Sequence, residues 1–139
     1  MKKQMFQLAF LFLMLLFTSC FENVEVDIPT SYDQAAITGV SVYRAAKEGD
    51  EEFAKNQAFV SIQSTVELAA TEEANTCDIQ LQTTEDLTRL KILLTISPAA
   101  TVIRPLGATI QDFSETKTVK IESPSGKIVK EWTLQVLNP

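Results

Sequence analysis

The chain has no histidine. That absence removes Ser-His-Asp and Cys-His arrangements, histidine-bearing zinc sites, and the side chain whose ordinary pKa lies nearest neutrality. Glycine is scarce too: Gly39, Gly49, Gly107 and Gly126 stand far apart, so no glycine-rich loop can cradle a phosphate. Basic residues are outnumbered, with 12 Lys and Arg against 18 Asp and Glu and a formal net charge of −6. Without a basic patch to neutralise phosphates, nucleic acid is not an expected partner. The two cysteines, Cys20 and Cys77, are too few for a disulfide framework. Carboxylate pairs do occur, at Glu72-Glu73 and Glu85-Asp86. Glycoside hydrolysis needs two such groups flanking a cleft. Acidic pairs at turns mainly solubilise a surface, so neither an enzyme nor a cofactor is expected. Asp86, Asp112 and the run Glu48-Gly49-Asp50-Glu51-Glu52 are the residues from which a calcium site would have to be built, and their spacing matches no EF-hand loop.

What the chain does have begins at its N-terminus. Lys2 and Lys3 precede a run from Met5 to Phe17 broken only by Gln7, and the small residues Thr18 and Ser19 lead into Cys20. The run is too short to span a bilayer and carries the flanks of a secretory signal, so residues 1–19 are predicted to be a signal peptide. Phe17-Thr18-Ser19-Cys20 resembles the bacterial lipobox, with Phe17 where leucine is usual. The resemblance implies cleavage before Cys20, acylation of its thiol, and anchoring to a membrane through two or more acyl chains. Loss of Lys2 and Lys3 would deepen the net charge from −6 to −8. The next residues include Glu22, Glu25 and Asp27, with no basic residue before Arg44. This acidic start resembles the export signal of Bacteroidetes-type lipoproteins displayed on the outer face of the outer membrane. Residues 20–36 lack a sustained period and are read as an acidic tether.

From Ile37 to Pro139 the pattern changes to short alternating runs separated by turn residues, which predicts strands. In "ITGVSVYR" Val40 and Val42 are taken as inward, with Ile37, Ser41 and Tyr43 opposite. In "QAFVSIQS" Ala58, Val60 and Ile62 alternate with Phe59 and Ser61, and "STVELAA" continues after a bulge. Cys77, Ile79 and Leu81 share one face, so Cys77 reads as a small buried apolar residue. Leu90, Ile92, Leu94 and Ile96 share another, and Trp132 falls with Leu134 and Val136, as a core residue would. Pro124-Ser125-Gly126 suggests a three-residue hairpin loop, and "RAAKEGDEEFAKNQ" a loop. About seven strands in residues 37–139 predict an all-β fold, an immunoglobulin-like two-sheet β-sandwich. Tyr43 and Phe59 lie opposite their strands' aliphatic residues. If their strands are neighbours, the two rings form an outward patch flanked by Arg44 and Gln57, which makes them the candidate binding face unless Phe53 covers it.

The stretch from Asp86 to Val136 resembles the C-terminal half of immunoglobulin-like or PKD-like sandwich domains found in Bacteroidetes-type surface lipoproteins. Asp86-Leu87-Thr88, Ser97-Pro98, Asp112-Phe113-Ser114, Gly126 and Trp132 carry the likeness. It implies a surface-exposed, non-catalytic lipoprotein acting as a binding or accessory module in glycan or nutrient capture. A structural, pilus-like subunit assembling through a sheet edge is the alternative. The expected partners are therefore the membrane, through the lipid anchor, and a glycan or a surface protein.

Overall fold

Alternation of aliphatic and polar residues leaves little room for helix, and the computed structural model, which describes residues 27–139, is built from eight strands. They are β1 (Ile37–Ala45), β2 (Phe59–Ile62), β3 (Ser64–Ala70), β4 (Asn75–Leu81), β5 (Leu90–Ile96), β6 (Thr101–Arg104), β7 (Lys117–Glu122) and β8 (Val129–Leu137). The segment expected to be loop between β1 and β2 winds into one helical turn, α1 (Glu51–Ala54). Glu51 and Glu52 occupy that first turn, where exposed N–H groups favour negative charge.

Three strands form one sheet in the order β2-β1-β5, and five form a second in the order β3-β4-β8-β7-β6. The two sheets pack together as an all-β sandwich around one core. The run from Phe59 to Ala70, expected to continue past a bulge, turns a corner instead. At Gln63 it leaves β1's sheet for β4's, with Ile62 opposite Val42 on one side and Ser64 opposite Leu81 on the other. The strand not anticipated from the sequence is β6 (Thr101–Arg104), which makes eight where about seven were expected. β4 and β8 run parallel, Cys77 beside Leu134 and Ile79 beside Val136. A parallel pair needs a long crossover, which the chain from β5 through β7 supplies.

The inner faces meet through Val42, Ile62, Leu90 and Ile92 from the smaller sheet, and through Ile79, Leu81, Val119, Ile121, Trp132 and Leu134 from the larger. Cys77 lies among them, fully buried and free of any disulfide. Burial, with a smaller effect from Asp78, pushes its thiol up to about 11. Ile37, expected to face outward, is buried instead. The β1–β5 register slips between Ile37 and Gly39, and an irregularity of that kind resets which residues point inward. Phe113, in the loop before β7, also enters the core, held where Asp112 accepts hydrogen bonds from the Ser114 N–H and hydroxyl.

The last residues of the expected tether are held by the domain, so its contacts begin before Ile37. Asp33 accepts from the Ser125 N–H (3.0 Å) and hydroxyl (2.7 Å) in the β7–β8 turn. The Trp132 indole donates to the Ala35 carbonyl at 3.0 Å. On the opposite sheet, the Ser97 hydroxyl after β5 donates to Gln34 O at 2.8 Å and accepts from Ala36 N–H at 3.1 Å. Residues 33–36 thus clasp both sheets. The turn that receives Asp33 is one residue longer than expected: Ser123 N–H bonds to Ile128 O, and Gly126, at a φ of 72°, takes the left-handed position.

Candidate functional site

Tyr43 and Phe59 lie on paired strands, Tyr43 opposite Ser61 and Phe59 opposite Ala45. Both rings therefore occupy the outward face of the smaller sheet, one diagonal step apart, where long side chains are within reach of one another. Each is half-buried. Lys91, on β5 opposite Tyr43, reaches across β1 and sets its Nζ 4.2 Å from the centre of the Phe59 ring. That is cation–π distance, and it fixes the ring by attraction to its negative face. Leu93, opposite Ser41, adds an apolar side chain that is 41% exposed. Phe53 is itself 50% exposed, so the loop that carries it does not seal this surface.

Arg44 does not flank the patch. Successive residues of a strand point to opposite faces, and Arg44 shares the parity of Val42. Its guanidinium donates to both Asp50 oxygens (2.6 and 2.8 Å) and to Glu85 (3.2 Å). These bonds pin the α1 loop and the loop after β4 to β1. The Arg44 guanidinium, helped by the Lys47 N–H, holds Asp50 far below the usual carboxylate range. A cavity of about 250 Å³ beside this cluster is lined by Lys47, Glu85, Asp86 and Arg89. Asp86 and Asp112, two of the residues considered for calcium, are engaged locally. Asp86 accepts from the Thr88 N–H and hydroxyl, as Asp112 does from Ser114, and these bonds lower both carboxyls. Among the described residues no three His, Cys, Asp or Glu side chains converge as metal ligands would.

A second feature of the outward face follows from the corner at Gln63. β2 ends opposite Val42, whereas β1 continues along β5 as far as Ile37. From Thr38 to Ser41, no strand among the described residues pairs with β1 on β2's side. An open cleft of about 440 Å³ lies here, with Ser41, Ser61, Gln63, Ser64 and Gln82 around Val40, Val42 and Ile62. Ser41 and Ser61 share Tyr43's face, so the cleft adjoins that ring. Neither the cleft nor the reach of Lys91 is foreseen in the sequence. The one local signal is Gln63, the polar residue at which an otherwise continuous strand pattern changes sheet. Trp132 is 1% exposed and so offers no surface for stacking.

No family model matches the chain, and no curated protein matches it. Solved structures do share its fold. A Bacteroides fragilis protein, solved as a candidate secreted protein, superposes with a TM-score of 0.57 at 19% identity, over 77% of this chain and 97% of its own. A Bacteroides thetaiotaomicron protein, solved as a candidate glycoside hydrolase, gives a TM-score of 0.51 at 19% identity over 81% of this chain. Only 27% of that second protein is covered, so this chain spans about a quarter of its length. At such identity the likeness is one of fold. No helix among the described residues is long and apolar enough to cross a membrane. The signal segment 1–19 and Cys20 lie outside the described residues.

Proposed function

We propose that this protein is a non-catalytic lipoprotein of the outer membrane, held at the cell surface through Cys20, whose sandwich domain captures a glycan or nutrient as a binding or accessory module. The observation that carries the reading is the outward face of the smaller sheet, where Tyr43, Phe59 and Leu93 stand together with a single cation, Lys91. Exposed aromatic rings supply much of the contact energy in binding sites. The immunoglobulin-like or PKD-like resemblance and the lipobox agree with it. The partial match to the structure solved as a candidate glycoside hydrolase, which covers 27% of that chain, is compatible with an accessory role. Lipid anchoring is tested by fatty-acid labelling in cells, which the Cys20→Ser variant should abolish. The binding face is tested by replacing Tyr43 and Phe59 together with Ser. The variant should melt close to the wild type yet lose its ligand on a glycan array or its partners in a surface-proteome pull-down. Retention of every interaction by a folded double variant would remove the face from consideration.

One observation favours assembly through a sheet edge as a second reading. β3 is an edge strand of seven residues, and Glu67 is its one charge. Natural edges are usually blunted more heavily than this.

A further inference from the structure

We propose that the cleft at the β2–β3 corner binds an uncharged saccharide, with Tyr43 at its rim as the stacking surface. This rests on the outward face being the binding face, and it names the ligand class. The polar groups around the cleft are three hydroxyls and two carboxamides, from Ser41, Ser61, Ser64, Gln63 and Gln82, and among the described residues no charged side chain lines it. Hydroxyls and carboxamides both donate and accept hydrogen bonds, which is what a sugar hydroxyl requires of its partners. Among the described residues Ser41, Ser61, Gln63 and Ser64 form no side-chain hydrogen bond, and Gln82 uses only its amide N–H, toward Thr65 Oγ1 at 2.6 Å. These groups are free to meet a ligand.

Val40, partly exposed at the cleft, offers an apolar surface to the C–H face of a sugar ring, with Val42 and Ile62 buried in the core beneath it. An ionic ligand would lose hydration there without gaining a counter-charge, and an anion would also meet the chain's net charge of −6. The volume of about 440 Å³ falls within the usual size range of small-ligand sites. The open stretch of β1 from Thr38 to Ser41 offers backbone groups that either a saccharide or an added peptide strand could use. Strand addition relies on main-chain bonds. It would leave the convergence of five neutral polar side chains without a role, so the saccharide is favoured.

The test uses full-length protein in detergent micelles, screened on an array of neutral and acidic glycans. Each hit is then titrated by calorimetry and followed by backbone amide shifts, with a neutral extended decapeptide titrated in parallel. Expected are binding to at least one neutral oligosaccharide, shifts centred on Ser41, Ser61 to Ser64 and Gln82, and affinity lowered about 10-fold or more in Ser61→Ala/Gln63→Ala, as lost neutral hydrogen bonds would give. The shift map of the unaltered protein answers the same question should that variant misfold. Binding that survives the cleft variant but fails in Tyr43→Ser/Phe59→Ser would overturn the cleft and keep the face. Binding of acidic glycans alone, of no neutral glycan, or of the peptide with shifts along Thr38 to Ser41 would each overturn the proposal. A pull-down that still depends on Tyr43 and Phe59 would then leave the broader function standing.

Discussion

Replacing Trp132 with alanine should nearly exhaust the stability of this domain. Truncating a buried aromatic to alanine costs ~3 to 5 kcal/mol through lost transfer energy and the cavity left behind, and Trp132 is 1% exposed in the middle of β8. Its indole is also the partner of the buried Ala35 carbonyl at 3.0 Å. Leaving that acceptor unpaired adds ~1 to 3 kcal/mol. Together these approach or exceed the lower part of the ~5 to 15 kcal/mol available to a domain of ordinary stability. Trp132→Phe separates the two contributions, because it keeps most of the ring and loses the donor. It should cost ~1 to 3 kcal/mol and move the urea midpoint by roughly 1 M. Trp132 is the sole tryptophan, so its variants have no native indole signal and unfolding must be followed by far-ultraviolet circular dichroism. An unchanged midpoint for Trp132→Phe would show that the bond to Ala35 contributes nothing. A cooperative transition at the wild-type midpoint for Trp132→Ala would refute the assignment of this residue to the core.

Other expectations follow from charges and the thiol. Arg44→Met should release the α1 loop, seen as faster hydrogen exchange at the Lys47 amide, which donates to Asp50 at 2.8 Å; unchanged protection would mean that the guanidinium is not what holds the loop. Hydrogen bonds from Ser125 to Asp33, from Arg44 to Asp50, from Thr88 to Asp86 and from Ser114 to Asp112 hold four carboxyls below their ordinary value of 3.8. Between the folded and unfolded pKa values the unfolded chain binds more protons. The stabilisation is therefore fully present above about pH 4 to 5 and is lost as pH falls below that range. A melting temperature that held steady from pH 5 to pH 2.5 would contradict this. Cys77, buried and raised to about 11, should resist a thiol-specific reagent until denaturant is added; rapid labelling of folded protein would show an opening of the β4–β8 region.

Strand faces are legible in this sequence because one face of each strand is buried and the other solvated, which forces a period of two. Cys77, Ile79 and Leu81 illustrate it, as do Trp132, Leu134 and Val136. The outward positions of Tyr43 and Phe59 follow from the same periodicity. The rule fails where the backbone departs from regular pleating. The slip at Gly39 turns Ile37 inward, and the corner at Gln63 splits one run between two sheets. The position of Arg44 follows from parity, but its attachment to Asp50 and Glu85 depends on loops whose paths no local pattern encodes. Lys91 over Phe59 and the cleft beside Ser61 depend on which strands become neighbours, information carried by long-range packing.

The clasp formed by residues 33–36 has a mechanical consequence. A pull arriving from the N-terminal side meets Asp33 before it meets β1. There the load divides between the β7–β8 turn, through Ser125, and the end of β5, through Ser97, with the Trp132 indole holding Ala35 between them. Without the clasp, tension would enter at Ile37 and could unzip β1 from β5 one hydrogen bond at a time. With it, the bonds of Asp33, Gln34, Ala35 and Ala36 to both sheets must be broken before tension reaches β1.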